Sequence, residues 1–165
     1  MKRGISVFLA GLSVAVSLML PGMAVFRATP SAAASKVIDW NEAQIRWYSF
    51  NDGLREAQAT GRPILAVFFA EWCPHCLGHS RLFRNPQIVR LSQALVMVKV
   101  DGDRYPEISA RYAPDGAYIP RTMVLGSDGR VITSLHGSSA KYRYFLNYET
   151  EEELAGIMRG AAGLR

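Results

Sequence analysis

Eight apolar residues in unbroken succession, 63–70 (PILAVFFA), lead through Glu71 into Trp72-Cys73-Pro74-His75-Cys76, and this junction constrains the fold more than any other part of the 165-residue chain. So short a run, containing Val67, Phe68 and Phe69 and without polar alternation, reads as a strand covered on both faces. Proline directly after Cys73 marks an element of the opposite kind, because the first helical position has no hydrogen bond for it to lose. The chain therefore passes from buried strand to helix within a few residues, and its only two cysteines stand at the turn.

The same alternation continues on both sides. Residues 53–60 have helical spacing and stop at Gly61, a normal helix end. After the cysteines a helix is expected to run to about Phe83 and to continue or restart over 86–91 after Asn85. Residues 94–101 (ALVMVKVD) read as a second buried strand, Asp101-Gly102-Asp103 as the turn that ends it, 106–112 as a short helix and 122–125 as a third strand. Ser127-Asp128-Gly129 predicts a tight turn into a fourth strand over 130–134, an antiparallel hairpin. Thr150-Glu151-Glu152-Glu153 predicts a capping box, with Thr150 accepting from the Glu153 amide, ahead of a last helix carrying Leu154, Ile157, Met158 and Ala161. The expected fold class is α/β, with a mostly parallel sheet, an antiparallel edge and flanking helices.

Two cysteines three positions apart on a first helical turn share a face, about 5–6 Å from one another, inside the separation a disulfide tolerates. The pair can open and close without refolding the chain. Free amides at the helix start direct partial positive charge at the Cys73 sulfur, so a thiolate is favoured there. A free cysteine titrates near pH 8.5, and helix N-termini or adjacent cations lower this to about 3.5–7.5. Each unit is about 1.36 kcal/mol, and a depression of about three units raises the reduction potential by roughly 90 mV. His75 is the cation best placed to add to that effect, an exposed loop histidine being its plainer reading. Cys73 is the expected attacking sulfur, Cys76 the resolving one.

The amino terminus differs in kind. Lys2 and Arg3 precede an uncharged run over 5–20 and then Pro21-Gly22-Met23-Ala24, the pattern of a secretory signal peptide spanning 1–24, with a second candidate cleavage site as late as residue 34. This uncharged run of 16 residues falls short of the roughly 20 apolar residues a spanning helix needs, which sets the cleaved peptide ahead of an uncleaved anchor. Residues 25–38 read as a linker and 39–165 as the folded domain. Removing residues 1–34 takes away Lys2, Arg3 and Arg27 and no acid, so the formal charge falls from +5 to +2. No basic face remains to argue for nucleic acid. An oxidising destination permits structural disulfides, yet this pair is spaced too tightly to staple a fold.

The sequence is identified as a member of the thioredoxin-like superfamily. Residues 63–73 resemble the strand entering a thioredoxin active site, and Tyr118-Ile119-Pro120-Arg121 the loop that carries the cis-proline of that fold. Residues 115–121, 127–131 and 141–145 are similar to small single-domain oxidoreductases of the endoplasmic reticulum, the group that includes the anterior-gradient proteins. Cys73-Pro74-His75-Cys76 resembles the motif of the periplasmic disulfide oxidase DsbA. The resemblance implies Cys73, Pro74, His75 and Cys76 as catalytic residues and Ile119, Pro120 and Trp72 as substrate contacts, Trp72 having a core-rim reading beside it. It also implies that a thioredoxin's buried aspartate is replaced by Val67, with Glu71 nearby but facing solvent and water or His75 left to take the Cys76 proton.

The expected function is a periplasmic thiol–disulfide oxidoreductase, oxidase or isomerase ahead of dedicated reductase, that acts on thiols and disulfides of exported proteins. It requires a redox partner to recycle the pair, no dissociable cofactor beyond the Cys73–Cys76 disulfide, and no stable membrane insertion. A client-binding module with dispensable cysteines is the alternative of another class. Cys73, Cys76 and His79 supply three of the four ligands a structural zinc site closes with, so a metal site is not expected. Leu77 after Cys76 excludes haem attachment. Trp40, Trp47, Tyr142, Tyr144 and Tyr148 read as packing residues.

Overall fold

The computed structural model describes residues 37–164, so the expected signal peptide and nearly all of the expected linker lie outside the described residues. The elements are β1 (Trp47–Tyr48), α1 (Phe50–Thr60), β2 (Ile64–Phe69), α2 (Pro74–Ser80), a 3-10 turn (Arg81–Arg84), α3 (Pro86–Ser92), β3 (Val96–Asp101), α4 (Pro106–Arg111), β4 (Arg121–Leu125) and α5 (Glu152–Ala161). The strands form one sheet in the order β1-β3-β2-β4. β1 and β2 both run parallel to β3, and β4 lies antiparallel to β2, pairing Ile64 with Leu125 and Val67 with Thr122. This is the thioredoxin-like arrangement, a mixed sheet flanked by helices.

β2 is buried along its whole length because helices cover both faces of the sheet. Leu65, Val67 and Phe69 enter the layer that holds both cysteines, Phe83 and the apolar stripe of α5. Ile64, Ala66 and Phe68 enter the opposite layer with Phe50 and Ala57 of α1. The absence of polar alternation in residues 63–70 is thus the signature of a two-sided core.

Local signals fix the helix ends. Ser49 caps α1, and Gly61 ends it at φ 71°, donating its amide to the Ala57 carbonyl at 2.8 Å. The Asn85 side-chain oxygen, Oδ1, accepts from the Gln87 amide at 2.8 Å, so the chain restarts as α3 rather than prolonging α2. Gly53 lets α1 press on β3, since a Cβ there would lie 2.2 Å from Val98 Cγ2.

Four expectations need correction. β1 was not anticipated, two residues carrying too little periodicity to read. Residues 130–134 form no strand: the hairpin closes through the Leu125–Val131 bridge, Ile132 donates to Val124, and the chain then turns as Leu135 donates to Ile132. The capping box does not form. The Glu153 carboxylate is taken by the amides of Ser138 and Asn147, and α5 begins at Glu152 without a side-chain cap. The linker also ends earlier than expected, because Ile38 is 2% exposed and joins the core.

Arg121, fully buried, opens β4 and ties the segment before it to α4. Its guanidinium donates to the carbonyls of Tyr112, Tyr118 and Ser109 and to the Ser109 hydroxyl, and lies 5.0 Å from the Phe68 ring centroid.

Gly53→Ala is expected to lower stability by about 1–3 kcal/mol through overpacking against Val98, although alanine is the better helix former by about 1 kcal/mol. Denaturant unfolding of the two proteins measures the difference, and an unchanged or higher midpoint would show that α1 can draw back from the sheet.

Candidate active site

The turn after β2 presents Cys73 as the residue that caps α2. Its backbone is extended (φ −80°, ψ 115°), its amide donates to the Ala70 carbonyl, and its sulfur accepts the Cys76 amide at 3.2 Å. Pro74 occupies the first helical turn, as the sequence predicts. Both sulfurs are free thiols. Cys73 keeps 4% of its surface, between exposed Trp72 and Pro74, and Cys76 keeps none.

The two thiols therefore differ in kind. Cys73 receives an amide hydrogen bond at a helix start, where donors and peptide dipoles suit negative charge. Burial pushes the Cys76 thiol well above its usual range, and its hydrogen bond with Cys73 adds to the effect. Val67 lies in the same core layer, fully buried, so the position matched to the aspartate of thioredoxins is apolar.

Glu71 does not face solvent. It is half-buried and its carboxylate accepts the Ile38 amide at 2.8 Å, tying the start of the domain to the active-site turn. Its negative field raises the Cys76 thiol further. His79, weighed in the sequence as a third metal ligand, is wholly buried; its Nε2 meets Thr122 Oγ1 at 2.8 Å and its Nδ1 has no partner among the described residues. Burial draws its pKa down to about 4, so the ring is neutral. Among the described residues no group of three His, Cys, Asp or Glu side chains is placed to hold a metal ion.

Around the cysteines the structure gathers the other expected residues. The Ile119–Pro120 peptide is cis; Pro120 is buried, and Ile119 packs against the core layer containing both thiols. Trp72 is 70% exposed, so it is not core rim, and its indole N–H donates to Asp103 Oδ2 at 2.6 Å. That bond joins the Asp101-Gly102-Asp103 turn to the residue that precedes Cys73. His75 is exposed, with Nδ1 2.7 Å from the Tyr148 hydroxyl. Tyr148 and Asp103 escaped sequence reading because each reaches its partner across a long loop in the chain.

With the geometry in view, the Thioredoxin-like family model matches residues 46–127, about half of the chain, from β1 through β4. The chain belongs to the thioredoxin-like family. Its thioredoxin-like domain is 29% identical over 114 residues to the thiol:disulfide interchange protein DsbD of Ralstonia nicotianae, covering 68% of this chain and 18% of that protein. To the human anterior gradient protein 2 homolog it is 23% identical over 108 residues, covering 64% and 60%, which bears out the resemblance read from residues 115–145. The chain thus spans well under the full length of these relatives. The crystal structure of a disulphide isomerase from Xylella fastidiosa superposes with TM-score 0.50 at 26% identity, covering 89% of this chain and 98% of that one. The described residues contain no helix long and apolar enough to cross a membrane.

His79 gives this thioredoxin-like domain a defined acid response. The unfolded state takes up a proton near pH 6.5, while the folded state resists until about 4. Stability is therefore complete above pH 6.5 and falls as pH drops toward 4, by about 3 kcal/mol in all at about 1.4 kcal/mol per unit. Denaturant unfolding at pH 7 and pH 4.5 should show this loss in the native sequence and a markedly smaller one in His79→Leu; equal losses in both would contradict the assignment.

Proposed function

We propose that this protein is a thiol–disulfide oxidoreductase acting on exported polypeptides, with Cys73 as the exchanging sulfur and Cys76 as the resolving one. The observation that carries the reading is the unequal pair: one thiol capped by an amide at a helix start, the other buried one turn along with its proton held.

In the oxidising direction a client thiolate attacks Cys73 Sγ of the protein disulfide. The Cys73–Cys76 bond breaks and Cys76 leaves with the electron pair and takes a proton. A second client thiolate then attacks the client sulfur of the mixed disulfide, forming the client disulfide and releasing Cys73 as thiolate. Reduction is the reverse, and isomerisation returns the client through a different pair of sulfurs. Electrons pass through the cysteines alone, so no dissociable cofactor is required and the cycle closes through a partner that reoxidises or re-reduces the pair.

Trp72, held by Asp103, and the Ile119–Pro120 loop, whose Ile119 packs against the core layer of both thiols, form the proposed client-docking surface. Oxidase or isomerase chemistry is the proposed direction, supported by the histidine between the cysteines. Export is supported by the pattern of residues 1–24.

Cys76→Ala is expected to accumulate client mixed disulfides that a reducing gel releases, and Cys73→Ser none. Trapping in an oxidising extract, read by paired non-reducing and reducing gels, tests this. Equal trapping by the two variants, or by neither, would leave the chain as a client-binding module.

A further inference from the structure

His75 is the only histidine inside the cysteine turn, and the side chain that holds it comes from far along the chain. Tyr148 presents its hydroxyl to His75 Nδ1 at 2.7 Å. Phe145 stands edge-on to both rings, 5.9 Å from His75 and 6.0 Å from Tyr148. The Tyr148 ring lies over α2 at Gly78, where a Cβ would come within 2.7 Å of it, so no other residue type fits beneath the ring unshifted. The segment that carries these aromatics is anchored between them: Leu146 is fully buried, and the Glu153 carboxylate accepts the Asn147 amide at 2.6 Å. The hydroxyl is thus placed on the imidazole by packing, not by a loose tail.

We propose that Tyr148 is a positioning residue for His75, fixing the imidazole against the Cys73–Cys76 turn and so setting the redox poise of the pair. The inference rests on the reading that these cysteines exchange disulfides. A phenol can donate to the neutral ring or accept from the charged one. The second bond is charge-assisted and roughly twice as strong as the first. A cation fixed beside the turn stabilises the reduced pair in its thiolate form, which makes the disulfide the better oxidant. The plainer alternative is that Tyr148 only fills space over Gly78, and Tyr148→Phe separates the two because it keeps the ring and removes the hydroxyl.

The experiment equilibrates the purified protein with reduced and oxidised glutathione and compares the native sequence, Tyr148→Phe, His75→Ala and the double variant. Tyr148→Phe is expected to shift the equilibrium about 3–10-fold toward the disulfide form, a potential about 15–30 mV more reducing. His75→Ala should shift it at least as far, and adding Tyr148→Phe to His75→Ala should change nothing more. An unchanged equilibrium in Tyr148→Phe overturns the proposal, as does an equal shift with and without His75, which is what a packing role would give. A native protein that forms no disulfide across the glutathione series overturns the oxidoreductase reading itself, a result distinct from either.

Discussion

Everything in this molecule is built outward from a strand with no wet side. Because β2 contributes Leu65, Val67 and Phe69 to one layer and Ile64, Ala66 and Phe68 to the other, it cannot slip by one residue without exchanging the two cores. Its neighbours β3 and β4 hold it in register from both edges. The end of β2 is fixed as a consequence, and with it the turn in which Ala70 accepts the Cys73 amide and Cys73 in turn accepts that of Cys76. The redox pair inherits its geometry from the sheet.

From that fixed turn the chemistry divides by depth. One turn of helix separates a sulfur under two exposed residues from one with no accessible surface, and the same helix continues inward to a neutral buried histidine. Deeper still, His79 meets Thr122, the residue laddered opposite Val67, so the helix bearing the cysteines is hydrogen-bonded to the strand that leaves the Pro120 loop. Arg121 holds the other end of that loop to α4 through carbonyl acceptors. One bond, His79 to Thr122, therefore ties the helix of the thiols to the strand that follows the proline loop, and Arg121 braces that loop from the α4 side.

What could be read from the sequence was what the chain encodes locally. The apolar run, the proline at the helix start, the spacing of the cysteines and the glycine that ends α1 act within a few residues, and each was legible. Contacts closed by the fold were not. Glu153 looks like a cap because its local partner, Thr150, is visible in the sequence, whereas the loop amides that capture it are brought near only by packing. Glu71 looks solvated until Ile38 arrives from 33 residues away, and Tyr148 looks like filler until it meets His75 across 73. Such pairs leave no periodic trace.

The missing acid at Val67 bears on rate, not on direction. Forming and opening the Cys73–Cys76 bond from the mixed disulfide are one step traversed two ways, and a base that removed the Cys76 proton would speed both equally. Val67 is apolar and the field of Glu71 opposes thiolate formation, so the position matched to the thioredoxin aspartate supplies no such base. Poise is settled at the other sulfur, by the amide of Cys76 and by the imidazole that Tyr148 holds in place. On this reading the rate of exchange and its equilibrium answer to different residues around one turn, Val67 and Glu71 on one side and His75 with Tyr148 on the other.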